Sequence, residues 1–149
     1  MIMDNHYSIL NNYLVDFFNT ILKIEENSLQ TFCSELSLRE MHTIEAIINS
    51  PDGSVGSIAA RLKITVGTLS VALKTLESKG YVLRERAKDD RRQVNVTVTE
   101  KGIETNNLHQ AFHHRMVNDV IECLTAKELE TLMVALAKLN IHFDSLKQL

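Results

Sequence analysis

The stretch "LESKGYVLRERAKDDRRQVNVTVTEKG", residues 76–102, determines the predicted fold of this chain. Within it, residues 81–86 and 93–99 each alternate apolar and polar side chains, and a strongly charged turn joins the two runs. Alternation with a period of two is typical of antiparallel strands that bury one face. We therefore predict a β-hairpin here, directly after a helix that ends at Gly80.

Two short amphipathic helices are predicted just before the hairpin, in "SVGSIAARL" at 54–62 and "VGTLSVALKTLESKG" at 66–80. In the second helix Val66 begins an apolar stripe that continues through three leucines, and Thr65 is suited to cap its N-terminus. Two helices joined by so short a turn are the helix-turn-helix arrangement. Together with the hairpin, they predict a winged helix-turn-helix.

Long amphipathic helices flank this central block. Apolar residues recur at helical spacing from Leu10 to Ile24, and a second helix is predicted from Ser37 to Pro51. Two more helices follow the hairpin, and the last one opens with a Thr-x-x-Glu capping box at 125–128. The predicted fold class is therefore mainly α with a small β-hairpin wing.

The whole chain, residues 1–149, is predicted to be one domain. Its winged helix-turn-helix lobe would span residues 37–99, with the helix-turn-helix at 54–80 and the wing at 81–99. The flanking helices, 1–36 and 100–149, carry more apolar surface than so small a lobe can cover. We expect them to pack against a second copy of the chain.

Charge is distributed unevenly along the chain. The net charge is −3, but residues 61–92 carry nine Lys and Arg against four Asp and Glu, which gives +5. The remaining residues carry seven against fifteen, which gives −8. A basic block on an acidic body is typical of a surface that binds phosphates, although a solvated basic surface without a partner has the same composition.

The second helix of the predicted helix-turn-helix has an unusual outer face. Opposite its apolar stripe it carries small, mostly uncharged side chains and one long cation, Lys74, where an ordinary solvent-facing helix is rich in Glu and Lys. Short side chains let a helix approach base edges in a major groove about 12 Å wide. The methyl groups of Val71 are suited to contact with a thymine methyl.

Five basic side chains lie between Arg84 and Arg92, at the tip of the hairpin. Arginine is suited to a narrow minor groove or to flanking phosphates, and we expect Arg92 to reach the groove. Asp90 would hold Arg84 or Arg86 in a bidentate pair. The residues predicted to contact DNA are Lys63, Thr65, Gly67, Thr68, Ser70, Val71, Lys74, Arg84, Arg86, Lys88, Asp90, Arg91 and Arg92.

The order of these elements, together with residues 76–102, resembles the MarR family of dimeric winged-helix transcription regulators. The resemblance covers nearly the whole chain, and the Asp-x-Arg wing motif of the family falls on Asp90 and Arg92. It implies a homodimer that binds double-stranded DNA.

Three further stretches resemble a subgroup of this family, the repressors of fatty-acid synthesis genes in Gram-positive cocci. They are "IEENSL" at 24–29, "EMHTIEAI" at 40–47 and "LHQAFHHRM" at 108–116. The resemblance implies a palindromic promoter site and, in place of a cofactor, acyl-acyl carrier protein as corepressor. The acyl chain would enter an apolar pocket between the long helices and the DNA-binding lobes. Residues that could line it, although each is also explained as packed core, are Phe17, Phe18, Ile21, Ile44, Ile48, Phe112 and Met116.

A zinc-sensing MarR-type repressor is the alternative interpretation, and a regulator of another small ligand stays open beside it. His109 and His113 are four residues apart on one predicted helix, a spacing that can hold zinc. Further ligands could come from Cys33, Glu40, His42 and either Glu25 or Glu26. A polar network that links His42 with the fifth helix explains the same residues without a metal.

Other classes of protein are less consistent with the sequence. The chain shows no Gly-rich phosphate loop and no nucleophile motif, so we do not expect an enzyme. Its start lacks the basic region of a signal peptide, and no apolar run approaches the roughly 18 residues of a membrane span. The two cysteines, Cys33 and Cys123, are expected to be reduced thiols in a cytoplasmic protein.

Overall fold

The computed structural model describes the backbone of residues 2–86 and 94–146 and the side chains of residues 5–85 and 94–146. Six helices and one two-stranded antiparallel sheet confirm the predicted fold class over these residues. In chain order the elements are α1 (Ile2–Phe32), α2 (Leu38–Ile48), α3 (Val55–Leu62), α4 (Val66–Ser78), β1 (Val82–Arg86), β2 (Val94–Val98), α5 (Glu100–Glu122) and α6 (Ala126–Leu146).

The chain forms two compact units, Met1–Gln110 and Ala111–Leu149. The first contains α1 to α4, both strands and the beginning of α5, and the second contains the rest of α5 and α6. Among the described residues, no single helix is both long and apolar enough to span a membrane. Only α3 and α4 taken together meet that criterion, bent by 105°, and their apolar faces lie in the core of the first unit.

Local capping interactions set the helix boundaries. Ser37 forms a reciprocal capping box with Glu40 at the start of α2, and the Thr65 hydroxyl accepts from the Thr68 N–H, 3.1 Å away, at the start of α4. Lys63 has a φ of 56°, a left-handed conformation that makes the turn between α3 and α4 tight. After α4, Gly80 has a φ of +79°, which favours glycine and reverses the chain into β1.

The hairpin is held to the rest of the first unit at its base. Its strands pair in a register that sets Val82 opposite Val98 and Arg84 opposite Val96. Val82 and Val96 are buried on the inner face. The turn after α2 is joined to β2, because the Val96 N–H donates to the Gly53 carbonyl oxygen, 2.9 Å away. The hairpin is therefore an integral part of the core.

The core of the first unit combines the apolar stripes of α2, α3 and α4 with the inner face of the hairpin. Its fully buried side chains include Leu29, Met41, Ile44, Ile58, Leu69, Leu73, Leu76 and Tyr81. Val66 was expected to belong to the stripe on α4, but this expectation was wrong, because the side chain is 52% exposed. It is the first residue of α4 and precedes the part of the helix that packs against the core.

Close contact between α5 and the hairpin base requires glycine at position 102. A Cβ there would lie 2.7 Å from the Tyr81 carbonyl oxygen and closer still to Val98 Cγ1. We expect Gly102→Ala to lower the free energy of unfolding by about 1–2 kcal/mol, because overpacking outweighs the better helix propensity of alanine. Urea denaturation measures this change.

Gly56→Ala is the matched control, since a Cβ at this position in α3 meets nothing within 4 Å. It should raise the free energy of unfolding, by up to about 1 kcal/mol. Equal effects of the two substitutions would contradict the close approach at Gly102.

Candidate nucleic-acid interface

The outer face of α4 is exposed as predicted. Leu69, Leu73 and Leu76 face the core, whereas Gly67, Thr68, Lys74 and Thr75 are exposed and Ser70 is half-buried. Val71 stands in the middle of this face and is 67% exposed. Lys63 and Thr65, in the turn before α4, are exposed as well. The predicted contact residues on α4 and its preceding turn therefore share one accessible surface.

The hydroxyl side chains on this face stay close to the helix. Ser70 Oγ donates to the Val66 carbonyl oxygen, 2.8 Å away, and Thr75 donates to the Val71 carbonyl oxygen, 3.3 Å away. The Thr65 and Thr68 hydroxyls lie 2.9 Å apart. These hydroxyl groups bond within the helix, whereas Val71 and Lys74 are exposed beside them.

Arg84, at the base of the hairpin, is bound to α4. Its Nε and Nη2 both donate to Glu77 Oε2, at 2.8 Å and 2.5 Å. This pair ties β1 to the helix that carries the outer face. Glu77 is a partner that sequence reasoning did not identify, because only the reversal of the chain after α4 brings the two residues together.

The remaining hairpin residues of the prediction lie outside the described part of the chain. These are Lys88, Asp90, Arg91 and Arg92, together with the side chain of Arg86. The pairing of Asp90 with Arg84 or Arg86, and the placement of Arg92 in a groove, stay predictions.

Two lysines, Lys79 and Lys101, form ion pairs within the first unit. Lys79 Nζ lies 2.7 Å from Glu40 Oε1 and 2.7 Å from the Glu35 carbonyl oxygen. Lys101 pairs with the Glu35 carboxylate at 2.8 Å. The hydrogen bonds from Lys101 and then from the Tyr81 hydroxyl hold the pKa of Glu35 below its usual range. These cations fasten α4 and α5 to the segment between α1 and α2.

The residues expected to line an acyl pocket occupy different environments. Phe17 and Phe18 are mostly exposed on α1, whereas Ile44 is fully buried in the core. Ile48 is 41% exposed and lines a cleft at the end of α2. Of the other three predicted pocket residues, Ile21 and Met116 are half-buried and Phe112 is buried.

Histidine and glutamate side chains from three helices meet inside the first unit. Glu25 of α1 is 4% exposed, and its Oε1 lies 2.8 Å from His42 Nε2 and 3.3 Å from His109 Nε2. The potential ligand atoms of these residues lie within 4.8 Å of one another. His113 follows His109 by one turn of α5. A polar network therefore links His42 with α5, and the same atoms are suited to a metal ion.

Two of the other proposed zinc ligands have different partners. Cys33 Sγ lies 3.2 Å from the Tyr81 hydroxyl, and Glu40 takes part in the capping box and pairs with Lys79. Of the two neighbouring glutamates, Glu25 is buried and Glu26 is exposed. The sequence could have singled out Glu25, because it is a charged residue between Ile21 and Leu29 on the inward-facing apolar stripe of α1.

Comparison with known proteins gives a consistent result. The model of the MarR family matches residues 36–94. The regulator SarZ of Staphylococcus haemolyticus is 35% identical over 85 residues, which is 57% of this chain and 58% of SarZ. The chain thus spans little more than half the length of this curated relative.

Solved structures match over a longer range. FabT of Streptococcus pneumoniae in complex with DNA is 35% identical, with a TM-score of 0.89 over 94% of this chain and 99% of FabT. MepR of S. aureus, also in a DNA complex, is 24% identical, with a TM-score of 0.74 over 88% of this chain and 96% of MepR. The MepR match supports the fold alone.

Val71 and Lys74 lie three residues apart on one face, and we expect them to contribute to DNA binding in different ways. Lys74→Ala should weaken binding to specific and unrelated duplexes alike and reduce the salt dependence of log Kd by about one charge, because a phosphate contact is lost. Val71→Ala should leave the salt dependence unchanged and lower the preference for one base pair by about 1 kcal/mol. Fluorescence anisotropy at several salt concentrations measures both quantities. A change of salt dependence in Val71→Ala, or none in Lys74→Ala, would contradict this assignment.

Proposed function

Because the chain belongs to the MarR family of DNA-binding transcription regulators, we propose that it represses fatty-acid synthesis genes with long-chain acyl-acyl carrier protein as corepressor. In this proposal a homodimer binds a palindromic promoter site through α4 and the hairpin wing. The observation that carries the proposal is the likeness to FabT bound to DNA, which extends over almost the full length of both chains. The accessible face of α4, built from small side chains around Val71 and Lys74, supports the same mode of binding.

Apolar surface on the long helices supports the homodimer. On α1, Tyr13 is 71% exposed and Phe17 is 65% exposed. On α6, Met133 is 63% exposed and Ile141 is 72% exposed. Side chains of this size and number are normally covered in an assembly, and a second copy of the chain offers complementary faces of the same kind.

A corepressor acts only through preferential affinity for the conformation that binds DNA. In a dimer of this class, that conformation sets two recognition helices about 34–36 Å apart, one turn of duplex DNA. The acyl chain would contact apolar side chains of the long helices and of α2, Ile48 among them. No titratable group is required for this effect, because burial of methylene groups supplies the differential affinity.

The acylated carrier should therefore raise the affinity of the protein for its promoter DNA. We expect at least a tenfold lower Kd, about 1.4 kcal/mol, with long-chain acyl carrier protein than with the unacylated carrier. Electrophoretic mobility shift or anisotropy titrations on the promoter of a fatty-acid synthesis operon measure this difference. If the two forms of the carrier act alike, the corepressor assignment fails, whereas the family assignment and DNA binding stand.

The cluster of Glu25, His42 and His109, in which Glu25 and His109 are buried and His42 is partly exposed, favours a zinc-responsive repressor as the second candidate. Carboxylate oxygen and imidazole nitrogen are ligands that Zn²⁺ accepts in tetrahedral sites. His113, one turn after His109, is a possible fourth ligand. A bound ion would supply a fixed positive charge that fastens α1, α2 and α5 together, so its binding free energy would stabilise one arrangement of these helices.

Zinc binding distinguishes the two candidates. If the protein is a zinc-responsive repressor, equilibrium dialysis should show one bound Zn²⁺ per chain. This binding should be lost in His42→Ala and in His109→Ala. His114→Ala is the matched control, because His114 is exposed and bonds to Asn118 instead. If zinc raises the affinity for promoter DNA and acyl carrier protein does not, the second candidate replaces the first. If the protein binds no stoichiometric zinc, the second candidate is eliminated.

A further inference from the structure

An ion pair joins strand β1 to α4. Arg84 of β1 donates from Nε and Nη2 to a single carboxylate oxygen, Oε2 of Glu77, at 2.8 Å and 2.5 Å. Both side chains are partly buried, with 27% of the Arg84 surface and 35% of the Glu77 surface exposed. A guanidinium that donates two hydrogen bonds from one edge keeps a fixed orientation, because its N–H groups lie in one rigid plane.

The strand directs Arg84 towards the helices. Arg84 follows Val82 by two residues and stands opposite Val96 in the register of the hairpin. Successive side chains of a strand alternate between its two faces, so Arg84 shares a face with these two buried valines. Leu83 and Glu85 lie on the other face and are exposed. The ion pair therefore continues the packed inner face of the hairpin towards its tip.

The two strands of the hairpin are held to the rest of the first unit in different ways. On β2, the Val96 N–H donates to the Gly53 carbonyl oxygen at 2.9 Å, and Asn95 forms a bridge with Ser54. β1 is an edge of the two-stranded sheet, and the Arg84 side chain joins it to α4. A two-stranded ribbon twists easily. The ion pair therefore limits rotation of the hairpin about its backbone contacts with residues 53 and 54.

Glu77 is the single acidic residue of α4. A carboxylate on a helix that binds DNA repels the phosphates of the duplex, so it lowers affinity unless it has another role. Its contact with Arg84 indicates that role, because the carboxylate holds a side chain of the hairpin. The pair as a whole is neutral, which leaves the binding of phosphates to other cations, such as the exposed Lys74.

We propose that Glu77 and Arg84 are positioning residues for DNA binding, which set the angle between the hairpin wing and α4 and do not contact DNA themselves. A fixed angle lets both elements engage one duplex without further ordering, and this favours affinity. Arg84 thus has a different role from the direct contact that its basic side chain predicts from the sequence. The inference depends on DNA binding by the protein and is independent of the corepressor, since it holds for any ligand.

Removal of the Glu77 charge distinguishes positioning from direct contact. The probes are a duplex that the wild-type protein selects from a random pool and an unrelated duplex of equal length, both measured by fluorescence anisotropy. Glu77→Gln should bind the selected duplex about three- to fivefold more weakly, even though the variant has one negative charge less. The salt dependence of log Kd should stay unchanged, because no phosphate contact is lost. If Arg84 contacts DNA instead, Glu77→Gln releases it and raises the affinity for both duplexes, which would overturn the proposal.

Arg84→Gln and the double variant Glu77→Gln/Arg84→Gln complete a double-mutant cycle. Arg84→Gln should weaken binding of the selected duplex about as much as Glu77→Gln does, and the double variant should bind no more weakly than either single variant. The double variant has the net charge of the wild type. Recovery of wild-type affinity in it would reduce the pair to charge compensation and contradict positioning. A salt dependence lowered by about one charge in the double variant would reveal a phosphate contact of Arg84 and reject the proposal as well.

Glu85→Gln is the matched control. Glu85 is the next residue on β1 and is exposed on the outer face, so this variant loses the same charge without touching the ion pair. It should bind the selected duplex at least as tightly as the wild type. All of these variants should melt within about 4 °C of the wild type, because a partly exposed ion pair contributes little to stability.

Residual dipolar couplings of the backbone amides measure the orientation of the hairpin directly. Relative to the couplings of α4, those of β1 and β2 should change in Glu77→Gln and in Arg84→Gln and should match the wild type in Glu85→Gln. A pair that served stability alone would leave these couplings as they are in the wild type. Unchanged couplings in Glu77→Gln and Arg84→Gln would therefore overturn the positioning role, even if DNA binding had weakened.

Discussion

The buried side chain of Tyr81 fixes the hairpin to the helices, and the arrangement of the first unit depends on it. Its hydroxyl donates to Glu35 Oε1 at 2.5 Å and lies 3.2 Å from Cys33 Sγ, while Lys101 Nζ lies 4.2 Å above the ring. The Tyr81 carbonyl oxygen accepts from the Thr99 N–H at 3.0 Å. Burial, followed by the hydrogen bonds with Cys33 and Glu35, raises the pKa of Tyr81, so the phenol remains a donor at physiological pH. One side chain thereby joins the end of α1, the start of the hairpin and the start of α5.

The buried Glu25 carboxylate is a second connection between helices of the first unit. A carboxylate that is 4% exposed is tolerated only with partners that replace its hydration. His42 from α2 and His109 from α5 supply them, with or without a metal ion between the three groups. Tyr81 thus ties the hairpin to the end of α1 and to the start of α5, and Glu25 ties α1 to α2 and α5.

Periodicity and capping in the sequence were sufficient to predict the elements, because they depend on neighbours within a few residues. Tertiary partners were not predictable in the same way: Arg84 pairs with Glu77 only because the chain reverses between α4 and β1. Helix geometry alone could have reduced the set of residues proposed as zinc ligands. Glu40 and His42 are two residues apart and cannot share a helix face, whereas Glu25 stands on the inward stripe of α1.

The basic residues of the chain are concentrated in its central block. Nine Lys and Arg occur in residues 61–92, and five of them lie between Arg84 and Arg92. Lys79 is bound to Glu40, so it contributes little to the field outside the protein. Of the five between Arg84 and Arg92, Arg84 is the one whose side chain the structure describes, and it is bound to Glu77 of α4, whereas Lys74 is exposed on the same helix. Phosphate contacts supply much of the affinity of a protein for DNA. Because the Arg84–Glu77 pair ties β1 to α4, the two elements keep one arrangement relative to each other.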